Sequence, residues 1–246
     1  ADTLSMIMYS SGTTGKPKCI THKVGGALDV SVPSQLGRTG VGVDISKVSI
    51  RSNNLGNRKR TMMNLFLEHR FYFFNNTLDI TPGIAVNYFS DFGTHSFPGV
   101  DLGWQLNPNL RVYANTGATF RIPTFTDLFY SDPSTLGNAN LKPEEANTQE
   151  VGIRFTKSKV TASVAYFSRK SKNLIDFVKD IDDSSIPFMA QNIQEVTTNG
   201  IDLELLHRLQ FNSQLHQFKI NYSYLNNSLE KSNYSFSRYS INNDLK

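Results

Sequence analysis

Apolar and polar side chains alternate with a period of two along most of this chain, and turn-forming residues stand where the alternation breaks. Between residues 109 and 120, Leu110, Val112, Ala114, Thr116, Ala118 and Phe120 fall on one side of an extended backbone, and Arg111, Tyr113, Asn115, Gly117 and Thr119 on the other. Upstream, Met63, Leu65, Leu67, His69, Phe71 and Phe73 oppose Met62, Asn64, Phe66, Glu68, Arg70 and Tyr72 until Asn75-Asn76, a tight-turn dipeptide. A returning strand places Leu78, Ile80, Pro82, Ile84, Val86 and Tyr88 opposite Asp79, Thr81, Gly83, Ala85 and Asn87. Val151, Ile153 and Phe155 then alternate with Glu150, Gly152 and Arg154, and further strands are predicted near 96–106, 159–177, 196–210 and 215–228, with an incomplete one after Phe236.

About ten strands result, and their connections decide the architecture. Short turns at 74–77, 107–109, 156–159 and 211–214 alternate with longer connections at 51–58, 90–95, 121–147, 178–195 and 229–236. A membrane barrel has that asymmetry, with strands of about ten residues, apolar toward lipid and polar toward the lumen. A soluble sandwich has strands of about 5–6 residues and no such alternation. The predicted fold is therefore all-β, part of a transmembrane antiparallel up-and-down β-barrel. On this reading the two sets of connections lie on opposite rims, and Val112, Ala114, Ala118, Val151, Ile153, Phe155, Ile201, Leu203 and Leu205 face lipid. Phe71, Tyr72, Phe73 and Phe74 near one turn, and Tyr88, Phe89, Phe92 and Phe97 near the opposite loop, would form interfacial girdles.

Composition narrows the class. The hydrophobic fraction is 39%, mean hydropathy is −0.34, and no apolar run reaches the ~18 residues of a membrane helix. A barrel needs none, because half of each strand faces water. The single Cys19 excludes an internal disulfide framework and Cys-based zinc sites, and the five histidines show no metal-ligand spacing. A net charge of +4 without a basic stripe gives no sign of nucleic-acid binding. Neither a cofactor nor a metal is expected. The chain opens on Ala1 without the signal peptide an exported barrel requires.

Residues 121–152 carry a more specific pattern. Arg121, Pro123, Thr124, Asp127, Leu128, Gly137, Asn138, Leu141, Pro143, Glu144, Glu150 and Gly152 stand in the order and approximate spacing of a TonB-dependent outer-membrane receptor barrel, and about 37–246 resembles its middle-to-late portion. Ser52-Asn53-Asn54-Leu55-Gly56 with Arg58 and Arg60, and Asp91-Phe92-Gly93 with Pro98-Gly99, look most like the cobalamin-receptor-like branch. The resemblance implies a Gram-negative outer-membrane location and a barrel of about 22 strands closed by a plug. It also implies partners: outer-membrane lipid, the TonB complex acting through the plug, and a bulky scarce solute such as a cobalamin or iron chelate. The barrel would be scaffold and selectivity surface, and the protein not an enzyme. This chain would lack the plug and be truncated at both ends.

The first residues resemble something else. Tyr9, Ser10, Ser11, Gly12, Thr13, Thr14, Gly15, Lys16, Pro17 and Lys18, within 4–28, are similar to the phosphate loop of acyl-adenylate-forming enzymes, closest to acetyl- and acetoacetyl-CoA synthetases. Glycines let backbone N–H groups approach phosphates, the hydroxyls of Ser10, Ser11, Thr13 and Thr14 donate to phosphate oxygens, and Lys18 supplies charge. Such a loop without its several-hundred-residue domain does no chemistry. Residues 1–36 are thus expected to be a segment of different ancestry, joined between about Ala27 and Gly37 to the barrel portion 37–246, and to pack as a mobile extension or loosely docked strand. Three functions remain open: receptor-type transport, an adenylate-forming ligase favoured by Ser10–Lys18 alone, and a passive porin or adhesin barrel, which the 121–152 pattern disfavours. Asp127, Glu144, Glu145 and Glu150 read as ordinary solvated loop carboxylates. Glu68, Arg70, Arg111, Arg121, Arg154, Asp202 and Glu204 are expected to face the lumen, pairing across strands.

Overall fold

Strict alternation produces strands here because only an extended backbone puts every second side chain on one face. The computed structural model describes residues 8–9, 19–179, 186–212 and 214–229. In chain order these form β1 (Met8–Tyr9), β2 (Cys19–Ser34), β3 (Gly37–Ser52), β4 (Gly56–Phe73), β5 (Leu78–Phe89), β6 (Gly93–Asn107), β7 (Leu110–Arg121), the short helix α1 (Phe125–Phe129), β8 (Thr135–Leu136), β9 (Glu144–Lys157), β10 (Val160–Val178), β11 (Phe188–Phe211) and β12 (Gln214–Leu229). All twelve described strands belong to one sheet in which each long strand pairs antiparallel with the long strands next to it in sequence; only β8 stands off this path, pairing parallel with the start of β11.

The up-and-down order separates the connections as the sequence predicts. Turns at 35–36, 74–77, 108–109 and 158–159, with Asn212, lie on one rim; connections at 53–55, 90–92 and 122–143, with the end of β10 at Val178 and the start of β11 at Phe188, lie on the other. Asn75, Asn76 and Asn212 take left-handed φ values of 55°, 65° and 53°, the backbone that asparagine tolerates best after glycine. Two of the predicted loops shrink: 51–58 and 90–95 each close with three residues, because β3, β4, β5 and β6 keep pairing almost to their ends. Likewise β9 starts at Glu144 and β11 at Phe188, several residues before their alternation is legible. The connection at 229–236 and the strand after Phe236 lie outside the described residues. β2 pairs with β3 along its whole length, from Cys19↔Ser52 to Ser34↔Gly37, so this hairpin spans the expected junction between Ala27 and Gly37.

Register converts alternation into two continuous faces. Leu28, Val43, Leu65 and Val86 lie side by side across four strands, and Leu102, Ala114, Val151, Tyr166, Ile201 and Tyr224 across six. The lipid-facing residues predicted from sequence share this face, as Val112↔Ile153, Ala114↔Val151 and Val164↔Leu203 require. Val151, Ile153, Phe155, Ile201, Leu203 and Leu205 all stay exposed, each about two-fifths to one-half, and among the described residues no helix or second sheet lies across them. A surface this apolar is stable only against an apolar solvent.

The opposite face is polar and more enclosed. Ser46, Asp79, Thr81 and Ser171 are buried on it. Asp79 bridges Arg111 at 2.5 Å and Arg70 at 3.8 Å, and Glu204 pairs with Lys219 at 3.0 Å. All seven charged residues predicted to face the lumen alternate onto this side. Gly152 lies directly beneath the Tyr113 ring, where a Cβ would stand 2.4 Å from the ring carbon Cζ; only glycine admits that approach. Strand lengths also inform: crossing the hydrocarbon layer takes about 9–11 tilted residues, whereas β10 has 19 and β11 has 24. Strands of that length overshoot the membrane, so their loop-side ends stand beyond it.

The aromatic girdles are half as predicted. Phe73, Phe74 and Tyr88 are exposed, but Phe89 is buried, at 6.1 Å from the Phe120 ring, and Phe92 packs into the apolar cluster of the long loop.

Candidate functional site

The only sizeable apolar cluster among the described buried residues is not within the wall but at the long-loop rim, where Leu128, Leu141 and Ala190 pack with Phe92, Phe129, Ile175 and Phe177. Residues 122–143 leave β7 at Arg121 and re-enter β9 at Glu144, directly opposite one another. Arg121 clamps Glu144 with two hydrogen bonds, Nε to Oε2 at 2.6 Å and an Nη to Oε1 at 2.5 Å. Glu144 Oε1 also accepts from the Ile175 amide of β10 at 2.7 Å, and the Arg121 guanidinium reaches Asp127 at 3.4 Å. A planar fork on a nearly buried carboxylate fixes orientation as well as charge.

Inside the loop the chain is organised residue by residue. Thr124 caps α1: its hydroxyl accepts from the Asp127 amide at 3.1 Å, while the Asp127 carboxylate accepts from the Thr124 amide at 2.8 Å. Pro123 before it is fully buried. After α1, the Gly137 amide donates to the Tyr130 carbonyl at 2.7 Å and the Asn138 amide to the Asp127 carbonyl at 2.8 Å. A Cβ on Gly137 would lie 2.7 Å from the Phe129 nitrogen, so the fold-back excludes any other residue there. At the tip, Asp132 accepts from the Ser134 hydroxyl at 2.8 Å, the Ser134 and Thr135 amides at 2.7 Å each, and the Tyr130 hydroxyl at 2.8 Å. These bonds, the Ser134 hydroxyl first among them, hold the Asp132 pKa below its ordinary value, and the Tyr130 pKa is raised by its bond to Asp132.

Residues without an assigned role in the sequence reading fasten this loop to the wall. Arg60, on the polar face of β4, holds Asp91 through Nε at 2.8 and 3.0 Å and donates to the Pro123 carbonyl at 2.9 Å. Its guanidinium carbon lies 4.8 Å from the Phe125 ring and 5.4 Å from Phe92, and that of Arg58 lies 3.8 Å from Phe129. From the other side, Asn192 of β11 accepts from the Lys142 amide and donates to the Lys142 carbonyl, both at 2.8 Å, and donates to the Asn173 carbonyl at 2.7 Å. The loop therefore folds inward, onto the polar face. Arg58, Arg60 and Asp91-Phe92 stood out in the sequence as motif residues without a role; Asn192 gave no signal, because its meaning lies 50 positions away.

Of the residues singled out by sequence, Arg121, Pro123, Thr124, Asp127, Leu128, Gly137, Asn138, Leu141, Pro143 and Glu144 are brought together here. Glu150 and Gly152 are not: they lie farther down β9 on the polar face, Glu150 opposite Asn115 and Gly152 under Tyr113. Ser10, Ser11, Gly12, Thr13, Thr14, Gly15 and Lys18 lie outside the described residues. Among the described residues no group of three or more His, Cys, Asp or Glu side chains is placed to hold a metal ion.

This two-faced meander carries a long loop braced against its polar face, and a family model described as "TonB dependent receptor-like, beta-barrel" matches residues 11–245. The chain belongs to this family. The receptor wall is thus that of a Gram-negative outer-membrane protein. Among curated relatives, the chain is 31% identical over 113 residues to the vitamin B12 transporter BtuB of Photobacterium profundum, covering 46% of this chain and 18% of that protein. It is 30% identical over 135 residues to BtuB of Vibrio vulnificus, covering 55% and 21%. The chain thus spans about a fifth of the length of these relatives. The crystal structure of the siderophore receptor PirA from Pseudomonas aeruginosa superposes with a TM-score of 0.69 over 86% of this chain and 41% of that one, at 21% identity.

Proposed function

We propose that this chain forms barrel wall and mouth in an active-uptake receptor for a bulky scarce solute, a cobalamin or an iron chelate, powered by the TonB complex acting through a plug. The observation that carries the reading is the braced loop at 122–143. A passive pore needs an open lumen, whereas here Arg60, Arg121 and Asn192 hold a folded loop against the inner face at the mouth. Fixing a loop in advance lowers the ordering cost of gripping a solute. The wall contributes shape and orientation and no bond chemistry, in keeping with a family of transporters and receptors. Relatives named for vitamin B12 and for siderophores support these two solute classes alike.

The deciding experiment is uptake of radiolabelled cyanocobalamin and of a ferric catecholate by cells with and without the intact gene, with and without a protonophore. Uptake of either that needs both the gene and the proton-motive force is expected. Uptake that persists after de-energisation would identify a passive pore.

A second reading rests on Tyr9–Lys18 and holds that residues 1–36 derive from an adenylate-forming ligase, separate in ancestry from 37–246. ATP–pyrophosphate exchange by the purified protein tests retained ligase activity, and none is expected. Long-read sequencing across codons 25–40 tests the separate ancestry, which predicts a break in reading frame or gene there.

A further inference from the structure

The wall is not laced to the same height everywhere. The β6–β7 ladder stops at Gly99↔Gly117, although β6 reaches Gly93 and β7 reaches Arg121. Each strand stays paired on its other side to that end, Gly93 with Phe89 and Arg121 with Glu144. Above the Gly99–Gly117 pair the two strands therefore part toward the loop rim. The sequence accounts for the apex: Pro98 has no amide to donate to a partner strand, and glycine inside a strand weakens it. A Cβ built on Gly99 or Gly117 would meet only backbone, no nearer than 3.3 Å, and neither residue has a left-handed φ. Nothing in the wall's own packing calls for glycine at this pair.

Rings fill the opening. By register Phe120 belongs to the apolar face with Ala114 and Ala118, whereas Phe89, His95 and Phe97 belong to the polar face. The Phe120 ring nevertheless stacks on His95 at 4.0 Å and lies 5.5 Å from Phe97 and 6.1 Å from Phe89. Side chains of opposite faces meet in this way only where no ladder stands between them. The other fastenings across the seam at the rim are also made by side chains: Arg60 donates to the Pro123 carbonyl, and the Arg58 guanidinium lies over Phe129. On the loop's other flank the joints are the continuous ladders from β7 through β9 and β10 to β11, with Asn192 holding both backbone groups of Lys142. Among the described residues, loop 122–143 is thus built into β7–β11 and only leans on β3–β6.

We propose that the mouth consists of two bodies hinged at Gly99–Gly117, and that the rim loop swings with β7–β11 away from β3–β6 when the seam opens. The stacked rings form the wedge that holds the closed state. Opening costs ring contacts and side-chain bonds and leaves every ladder intact, so it is the easiest way for this mouth to widen. The hinge is a property of the wall and stands whether or not the uptake reading does.

Double electron–electron resonance on the intact protein in detergent tests the hinge. In a Cys19→Ser background, spin labels at Asn53→Cys and Asn140→Cys bridge the two bodies, while labels at Asn140→Cys and Arg208→Cys lie within one. The bridging pair should show a second, longer distance and the other pair a single one. Phe120→Ala should raise the ratio of long to short distances about tenfold, the size of effect that lost ring contacts give. Phe71→Ala removes a ring that packs with His69 and Phe73, away from the seam, and should leave the ratio unchanged. A single distance for the bridging pair, equal spread in both pairs, no response to Phe120→Ala or an equal response to Phe71→Ala would each overturn the hinge. No solute enters these measurements, so their failure and a failure of the uptake reading are told apart.

Discussion

Arg60 shows how much a single side chain carries at the rim. It is nearly buried and serves one carboxylate, one carbonyl and two aromatic rings. Arg60→Met keeps the stem but leaves Asp91 without its cation and the Pro123 carbonyl without a donor. Breaking a buried pair from one side costs roughly 3–5 kcal/mol, and because Asp91 remains one-third exposed the lower end, about 3 kcal/mol, is expected. Hydrogen exchange should show residues 122–143 opening while amides of β5 and β6 keep their protection; uniform loss would mean that Arg60 supports the wall and not the loop. Asp132 gives a pH prediction. Its folded pKa is depressed, so its contribution is present above the ordinary carboxylate pKa and is lost as pH falls through the lower folded value. Protection of the Ser134 and Thr135 amides should therefore hold at neutral pH and fade only in strong acid. Asp132→Asn, whose amide oxygen still accepts, should flatten that dependence.

Among the elements, β7 and β9 show what sequence reveals and what it hides. Their central portions were readable because lipid on one side and water on the other impose the period of two. The extension of β9 back to Glu144 was not, since residues 144–149 are polar on nearly every position and alternation carries no information there. The loop between them was recognisable as a pattern, but its fastening was not: Arg60 meets Pro123 across 63 positions and Asn192 meets Lys142 across 50. Such pairs follow from register, which local periodicity does not supply. The Tyr113–Gly152 contact tests register directly. Gly152→Val should destabilise the wall by about 1–3 kcal/mol through overpacking, and Tyr113→Ala in the same chain should recover most of that loss, as a double-mutant cycle measured by unfolding in detergent would show. Additive losses would mean the two side chains do not meet.

For the whole molecule, the decisive property is that one face asks for lipid and the other for water. Leu203→Arg, near the middle of the apolar face, should cost about 2–4 kcal/mol in lipid-supported unfolding, whereas Ser163→Arg on the polar face, opposite Glu204, should cost much less. Equal penalties would remove the distinction between the faces.

Every long ladder joins strands adjacent in the chain, while the rim loop is fastened by β11. The wall can therefore grow like knitting, row upon row along the chain, each hairpin finding its partner with little loop entropy to overcome. The rim loop cannot: Ala190 and Asn192, which hold Leu141 and Lys142, stand about fifty residues beyond the loop they secure. A chain truncated before β11 and folded into lipid would own a correctly registered wall with an unlatched rim loop, so that the most elaborately braced part of the fold depends on its latest strands.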